Sequence, residues 1–456
     1  MFLELKKPQK IVQTNPHTLK FIEDNLSLPA DVAALKASKN SKVDTVFAVN
    51  QIAGRKIASE KLPLWASLEN VIYPVHLSLE QCSSQFTAEY KKSLTRELLK
   101  SIPENHSTFV DLTGGFGVDF TILSQLFDES IYIEQQSELA SIAQHNISVM
   151  CKNIVHCFNE DSVIALNAIH KATMIYIDPA RRDSHGSRTY AIEDCTPNVL
   201  LLKHKLLDVS DFVIVKLSPM LDWRKTISDF EGNVSQVHIV SCNNECKELL
   251  VVLDNNIHTN IRVHCVNDDQ HTIFCAKYDL KSARIEVFLD DSIDASESDC
   301  ESASESETSE FGLSAVESSI STCVGKSKNF LKEYANYVYE PNASIMKSGC
   351  FELLTHMYSV NQIAQNSHVF VSKNPVKQFP GKMLAVTNIC TMNKLDLKQA
   401  LNGITHASIV VRNFPMSVDS LRKKLRIKDG MQMRIIATTD SQNNHILIFA
   451  KPENEK

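Results

Sequence analysis

Apolar and polar positions follow three regimes along this chain, and each predicts a different kind of structure. Over the first hundred residues the apolar side chains recur at helical spacing. Residues 30–37, Ala-Asp-Val-Ala-Ala-Leu-Lys-Ala, are strong helix formers. Between Asp44 and Lys61 the side chains Val46, Val49, Ile52, Ala53 and Ile57 fall on one helical face. Another helix is predicted to start at Thr87, which would cap it, and to run to about Lys100.

From Ser107 onward short apolar runs take over, at residues 108–112, 130–134, 154–158, 174–177, 212–217, 237–241 and 249–253. Connections long enough for helices separate the first five, which is the pattern of a parallel sheet built from βαβ units. The last two lie close together and predict an antiparallel end to that sheet. Residues 261–266 and 272–278 read as a further hairpin that turns at Asn267-Asp268-Asp269.

The third regime begins at 290. Residues 290–325 are rich in Ser, Glu and Asp and poor in large apolar side chains. Such a segment buries too little surface to offset its ordering entropy, so a disordered, solvated loop is predicted. An acidic mimic of nucleic acid, or a phosphorylated switch, is the functional alternative. Beyond it, 328–339 and 351–358 are predicted helical and 369–372 a strand. The last 75 residues mix strands at 384–387, 407–411, 433–438 and 446–450 with helices at 394–401 and 418–425, a small α/β unit.

Composition narrows this picture. The chain has 456 residues and is 43% hydrophobic, enough for several domains with real cores. It has no run of roughly 18 apolar residues and no signal-peptide pattern, so no membrane span and a cytoplasmic location are expected. The 12 cysteines include no Cys-x-x-Cys, so reduced, buried thiols are expected rather than a metal site or disulfides. Net charge is −7, but it is unevenly spread. Residues 326–456 carry 18 basic and 9 acidic side chains, while no Lys or Arg stands between Arg284 and Lys326. A basic C-terminal unit fits a polyanionic partner, since Lys and Arg contacts to phosphate supply most non-specific affinity for nucleic acid.

The candidate chemistry lies at strand ends. Val110-Asp-Leu-Thr-Gly-Gly-Phe-Gly-Val-Asp119 places an acid at the end of a strand, then a glycine-rich turn into a helix. Thr113, Gly114, Gly115 and Gly117 would let the backbone approach a ligand closely. Asp111, an anion, suits a cationic amino group better than a pyrophosphate, and neither Gly-x-Gly-x-x-Gly nor Gly-Lys-Ser/Thr is present. Glu134 ends the next strand, where an acid accepts ribose hydroxyls. Asp161 follows the third strand and could accept from an adenine amine. Asp178 ends the fourth, in Asp178-Pro-Ala-Arg181. Asp178 and Pro179 would hold an acceptor group by hydrogen bonds, with Arg181 beside them. This resembles the Asp/Asn-Pro-Pro-aromatic motif of nucleic-acid amino-methyltransferases, with Arg181 where the aromatic would stand. Lys216 and Trp223, after the fifth strand, would face the same cleft. Cys242 resembles the nucleophile of uracil-C5 methyltransferases, but lies on the sixth strand.

Four further groups of residues carry a family resemblance: the stretch from Ser78 to Lys91, Asn244-Glu-Cys-Lys-Glu-Leu-Leu250, the stretch from Tyr339 to Gly349, and Phe379-Pro-Gly-Lys382 with Val411-Arg-Asn-Phe-Pro415. With the segments already described, they make the chain similar to bacterial class I methyltransferases with a C-terminal THUMP-like domain. The resemblance implies an α/β fold: a helical N-terminal domain (1–104), a Rossmann-like seven-stranded methyltransferase domain (105–289), the acidic loop (290–325), a ferredoxin-like segment (326–378) and a THUMP-like domain (379–456). It implies S-adenosyl-L-methionine as cofactor and, by analogy with other THUMP proteins, RNA (tRNA or rRNA) as partner. Methylation of a protein or small molecule, or a non-catalytic RNA-binding role, are the alternatives.

Overall fold

A computed structural model describes residues 5–9, 14–102, 107–181, 191–289, 331 and 334–452, without the side chain of Arg181. The predicted loop at 290–325 and the residues before 331 of the predicted helix at 328–339 lie outside them. The chain divides into two compact units. One comprises Met1–Cys242, Cys246–Val263 and Ala276–Glu286, and the other Asn243–Glu245, His264–Cys275 and Val287–Lys456.

Six helices open the first unit: α1 (Pro16–Asn25), α2 (Ala30–Ala37), α3 (Thr45–Lys61), α4 (Pro63–Ser67), α5 (His76–Gln81) and α6 (Gln85–Leu99). Local chemistry sets their starts. Asn15 caps α1, with Pro16 at its first position, and Asp44 caps α3 by accepting from the Phe47 amide. Helix α6 starts earlier than its expected cap, Thr87. Ser84 holds extended backbone and its hydroxyl accepts from the Thr87 amide, so Thr87 sits inside the first turn.

The strands that follow are β1 (Thr108–Asp111), β2 (Glu129–Ile133), β3 (Ile154–Phe158), β4 (Ala172–Ile177), the short β5 (Ala180–Arg181) and β6 (Cys195–Thr196), then β7 (Ser210–Leu217), β8 (Val234–Cys242), β9 (Glu245–Leu253), β10 (Asn260–Asn267), β11 (Gln270–Asp279) and β12 (Arg284–Phe288). Helices α7 (Val118–Leu123), α8 (Ser137–Met150), α9 (Ser162–Ala168), α10 (Val199–Val209) and α11 (Trp223–Asp229) intervene. The seven expected strands lie in the order β3-β2-β1-β4-β7-β9-β8, continued by β10, β11 and β12 into a ten-stranded sheet. β9 runs antiparallel to β7. β4 is buried at every position, as an apolar strand covered on both faces must be. Beneath the helices Phe109 stacks against Phe120 and Phe127, with centroids 5.6 and 5.2 Å away.

In this order the chain moves outward from β1 through β2 to β3, then returns to β4 on the other side of β1. The pairing Asp111↔Tyr176 aligns β1 with β4 at that reversal. The crevice beyond the carboxyl ends of β1 and β4 is therefore the topological switch point, where open α/β sheets bind ligands.

The second unit has a seven-stranded sheet in the order β14-β15-β13-β16-β19-β18-β17. Its strands are β13 (Tyr337–Pro341), β14 (Asn361–Gln362), β15 (Phe370–Ser372), β16 (Gly381–Thr391), β17 (Ser408–Arg412), β18 (Arg434–Thr439) and β19 (His445–Pro452), with helices Ala343–Ser348, Phe351–Met357, Lys394–Ala400 and Val418–Leu425. The end of the expected 328–339 helix is instead strand β13. Tyr-Val-Tyr is β-branched and aromatic, Val338 and Tyr339 are fully buried, and β15 and β16 pair with it on either side. Its neighbours in space override a weak local preference.

Candidate functional site

The loop after β1 is shaped by close approaches. Gly114 donates to the Ile133 carbonyl (2.7 Å), and a Cβ at this position would stand 2.1 Å from the Tyr132 ring. Tyr132 is itself buried, with its hydroxyl on the Gly115 carbonyl, so the loop lies on the ring with no room between them. Gly117 has φ +90°, left-handed backbone that suits glycine, where the chain turns into α7.

Carboxylates surround this loop. Asp111 is 1% exposed and its Oδ1 accepts from the Thr113 amide at 3.0 Å. Burial pushes its carboxyl well above the usual range, and the neighbouring Asp119, Asp178 and Glu134 add to the effect. Glu134 accepts from the amides of Gly115 (3.0 Å) and Gln136 (2.7 Å), which tie β2 to the glycine loop. Burial raises it too, against those amides. Asp161 uses Oδ1 to cap α9, accepting from Val163 and Ile164. The Asp178 amide donates to Thr113 Oγ1 (2.6 Å), and its Oδ2 accepts from Lys216 Nζ at 2.6 Å.

These residues line one cleft. Asp111, Thr113, Gly114, Gly115, Gly117, Glu134, Asp161 and Asp178 all face it, with Lys216. Pro179 is buried beside them and is not part of the lining; Ala180 is. Arg181 contributes backbone to β5, where it pairs with Cys195, and its side chain is outside the described residues. Of the residues on and after the neighbouring strands, Trp223 does not face the cleft as expected, and Cys242, not expected at the cleft because it lies on the sixth strand, is also away from it. Trp223 is 1% exposed and packed, with the Arg224 guanidinium 4.2 Å over its ring, so it offers no stacking face to a base. Cys242 ends β8, which β9 separates from β7, and it does not line the cleft.

The cleft has a further wall on the side of the helical N-terminal region, where residues 81–91 are expected from the sequence to help close the site. Ser78, Gln81, Cys82 and Ser83, from α5 and the turn into α6, close one side. Behind them Lys91 is fully buried. Its ammonium donates to Asp119 Oδ1 (3.1 Å), Glu248 Oε2 (2.9 Å) and Ser83 Oγ (3.1 Å). Asp119 Oδ2 accepts from Ser83 Oγ (2.6 Å) and Tyr176 Oη (2.9 Å). Burial alone would raise the Asp119 carboxyl, but Lys91, Lys216 and the Ser83 hydroxyl hold it below its ordinary value. Glu248 goes the other way: burial outweighs Lys91, and Oε1 has no hydrogen-bond partner among the described residues. A sequence signal existed. Lys91 lies on the buried stripe of α6 with Thr87, Ala88, Leu94, Thr95 and Leu98, and a lysine on such a stripe requires an acidic partner. Cys82 is no thiolate, since burial pushes its thiol up to about 11.

The fold and domain content define a class I methyltransferase fold with a ferredoxin-like and a THUMP-like unit at its C-terminal end. Residues 337–380 match the model of a ferredoxin-like domain and 381–452 that of a THUMP-like domain. Over 97% of its length, and all of the other chain, the protein is similar to a proposed methyltransferase from Porphyromonas gingivalis W83, with 26% identity and a TM-score of 0.73. A proposed RNA methyltransferase from Pyrococcus horikoshii aligns over 44% of this chain and 100% of its own, at 16% identity and a TM-score of 0.31. No curated protein matches the sequence. Among the described residues, no helix is long and apolar enough to cross a membrane and no group of three or more His, Cys, Asp or Glu is arranged to hold a metal ion.

Proposed function

We propose that this protein is an S-adenosyl-L-methionine-dependent methyltransferase acting on RNA. One observation carries the reading: Asp111, Glu134, Asp161 and Asp178, each at or just beyond the carboxyl end of one of four parallel strands, line a single cleft at the switch point of the sheet.

The residues fit the cofactor. Asp111 is a buried carboxylate to which no cation among the described residues is bonded, and an ammonium group would relieve the burial that raises its pKa. Gly114 lets the loop lie directly on the Tyr132 ring, because the backbone there carries no Cβ, and this sets the loop's position at the cleft. Glu134 spends one lone pair of each oxygen on amides and keeps others for ribose hydroxyls. Asp161 keeps Oδ2 for an amine. When bound, the cofactor supplies an electrophilic methyl on a sulfonium. The chain's task is to place a nucleophile in line with that methyl and to exclude water. Asp178, next to Pro179 and Arg181, would position the acceptor, while Gln81, Cys82 and Ser83 cover the cleft from the helical side.

The RNA part of the reading rests on the THUMP-like unit and on the excess of 18 basic over 9 acidic side chains in residues 326–456. We further place the domain limits at 1–104, 105–289, 290–325, 326–378 and 379–456, and the protein in the cytoplasm. The test is transfer of labelled methyl from S-adenosyl-L-methionine to total RNA from cells lacking the protein, followed by nucleoside mass spectrometry. A labelled nucleoside that disappears with Asp111→Ala is the expected result. Label found only in protein would overturn the RNA assignment.

A further inference from the structure

Lys216 is the only basic side chain among the described residues that line the cleft, against five carboxylates: Asp111, Asp119, Glu134, Asp161 and Asp178. It is the penultimate residue of β7, its side chain is 14% exposed, and its ammonium lies 2.6 Å from Asp178 Oδ2. Burial would drive off its proton, but Asp178, Asp119 and Glu248 together hold it charged. Lys61 and Cys82 also lie within its electrostatic reach.

This ion pair is wired to the cofactor loop. Lys216 fixes Asp178 Oδ2, the Asp178 amide holds Thr113 Oγ1, and the Thr113 amide holds Asp111 Oδ1. A carboxylate with one oxygen pinned by an ammonium cannot rotate freely. No described residue donates to the other oxygen, Oδ1, and the Asp178 side chain is 38% exposed. Oδ1 is therefore an acceptor of fixed direction on the cleft, suited to an N–H. Cys82 is the only thiol on the cleft among the described residues, and burial pushes it up to about 11, which disfavours the thiolate that carbon methylation of a pyrimidine would need.

We propose that Lys216 is a positioning residue that orients Asp178 to accept a hydrogen bond from the methyl acceptor, and that the acceptor is an N–H-bearing nitrogen, an exocyclic amine or ring N–H of a nucleobase. This rests on the methyltransferase reading of the same cleft. In the reaction the nitrogen lone pair forms the N–C bond as the S–C bond breaks and the sulfonium becomes a neutral thioether. The nitrogen then releases its proton to water, with Asp178 accepting the hydrogen bond throughout.

The experiment combines calorimetry and transfer assays on the full chain with Lys216→Met, Lys216→Arg, Asp178→Asn and Asp111→Asn. The ligands are S-adenosyl-L-methionine, S-adenosyl-L-homocysteine and the cofactor analogue in which an amine-bearing carbon replaces the methylsulfonium. Lys216→Met frees the Asp178 carboxylate for a cation, so it should bind the amine analogue about tenfold more tightly than wild type. The thioether should bind within about threefold of wild type, and the gain should vanish in Lys216→Met/Asp178→Asn. Transfer to RNA should fall about 100-fold in kcat with KM for the cofactor within about threefold, and Lys216→Arg should recover part of it. Lys216→Met affinity changes equal for all three ligands, or full activity in that variant, would overturn the role of Lys216 alone. Wild type that binds no ligand, or binding indifferent to Asp111→Asn, would overturn the cofactor reading and this proposal with it.

Discussion

Replacing Lys91 by methionine is the most telling perturbation of the cleft's supporting structure. The side chain is fully buried and its ammonium is shared by Asp119 and Glu248 at 3.1 and 2.9 Å. Methionine fills similar volume, so the loss is mostly of charge. Asp119 keeps the hydroxyls of Ser83 and Tyr176 and the field of Lys216, and stays ionised. Glu248 fares worse: among the described residues the ammonium is the one donor to Oε2, and Oε1 has no partner. Breaking a buried pair in this way costs about 3–5 kcal/mol. The sign of the pH dependence follows. Glu248 already holds its proton more tightly in the folded than in the unfolded state, and more so without Lys91. Between the unfolded and the folded pKa the native state binds the extra proton, so stability falls as pH rises through that window. The Lys91→Met deficit should then be largest at pH 7.5 and shrink toward pH 5. The assay is urea unfolding followed by tryptophan fluorescence, because both tryptophans, Trp65 and Trp223, are buried in the first unit. Adding Glu248→Gln should recover about 2 kcal/mol, since no unpaired charge remains. A loss below about 1 kcal/mol at pH 7.5, or a double variant no more stable than the single one, would refute the reasoning.

Other expectations follow from the same geometry. Gly114→Ala should lower cofactor affinity at least about 30-fold and cost about 2 kcal/mol, because the new Cβ meets the buried Tyr132 ring at 2.1 Å; calorimetry and urea unfolding measure both. Cofactor affinity in the wild type should rise with pH until Asp111 ionises and then level off, because burial holds that carboxyl protonated above its ordinary range. In Asp111→Asn the profile should lose that rise and the affinity should be at least about tenfold weaker, read by calorimetry from pH 5 to 8. RNA affinity should fall by tenfold or more, roughly, between 50 and 200 mM salt. Reversing the charge of the exposed Lys423 and Lys424 on the helix Val418–Leu425 should reduce the logarithmic salt slope by about one for each phosphate left without its cation, measured by filter binding.

What the sequence by itself determined is local. The seven apolar runs became strands because burial of alternate or successive residues is a periodic property of short segments. The helix from about Asp44 to Lys61 was legible from apolar side chains at helical spacing. Asp111, Glu134, Asp161 and Asp178 stood in step because each ends or follows a run, and a parallel sheet presents those ends on one rim. Misread were features in which the neighbour decides: Ser84 as the cap of α6, β13 paired on both edges, and Trp223 drawn into the core. What only the tertiary structure decided is which distant groups meet. Lys91 and Glu248 are 157 residues apart, and Lys216 and Asp178 are 38. No local periodicity encodes such pairings, because they arise from the crossovers that bring α6, β7 and β9 alongside the glycine loop after β1. An ammonium taken out of water must find a carboxylate wherever the packing leaves one, and that requirement set the wall of the cleft and the orientation of Asp178.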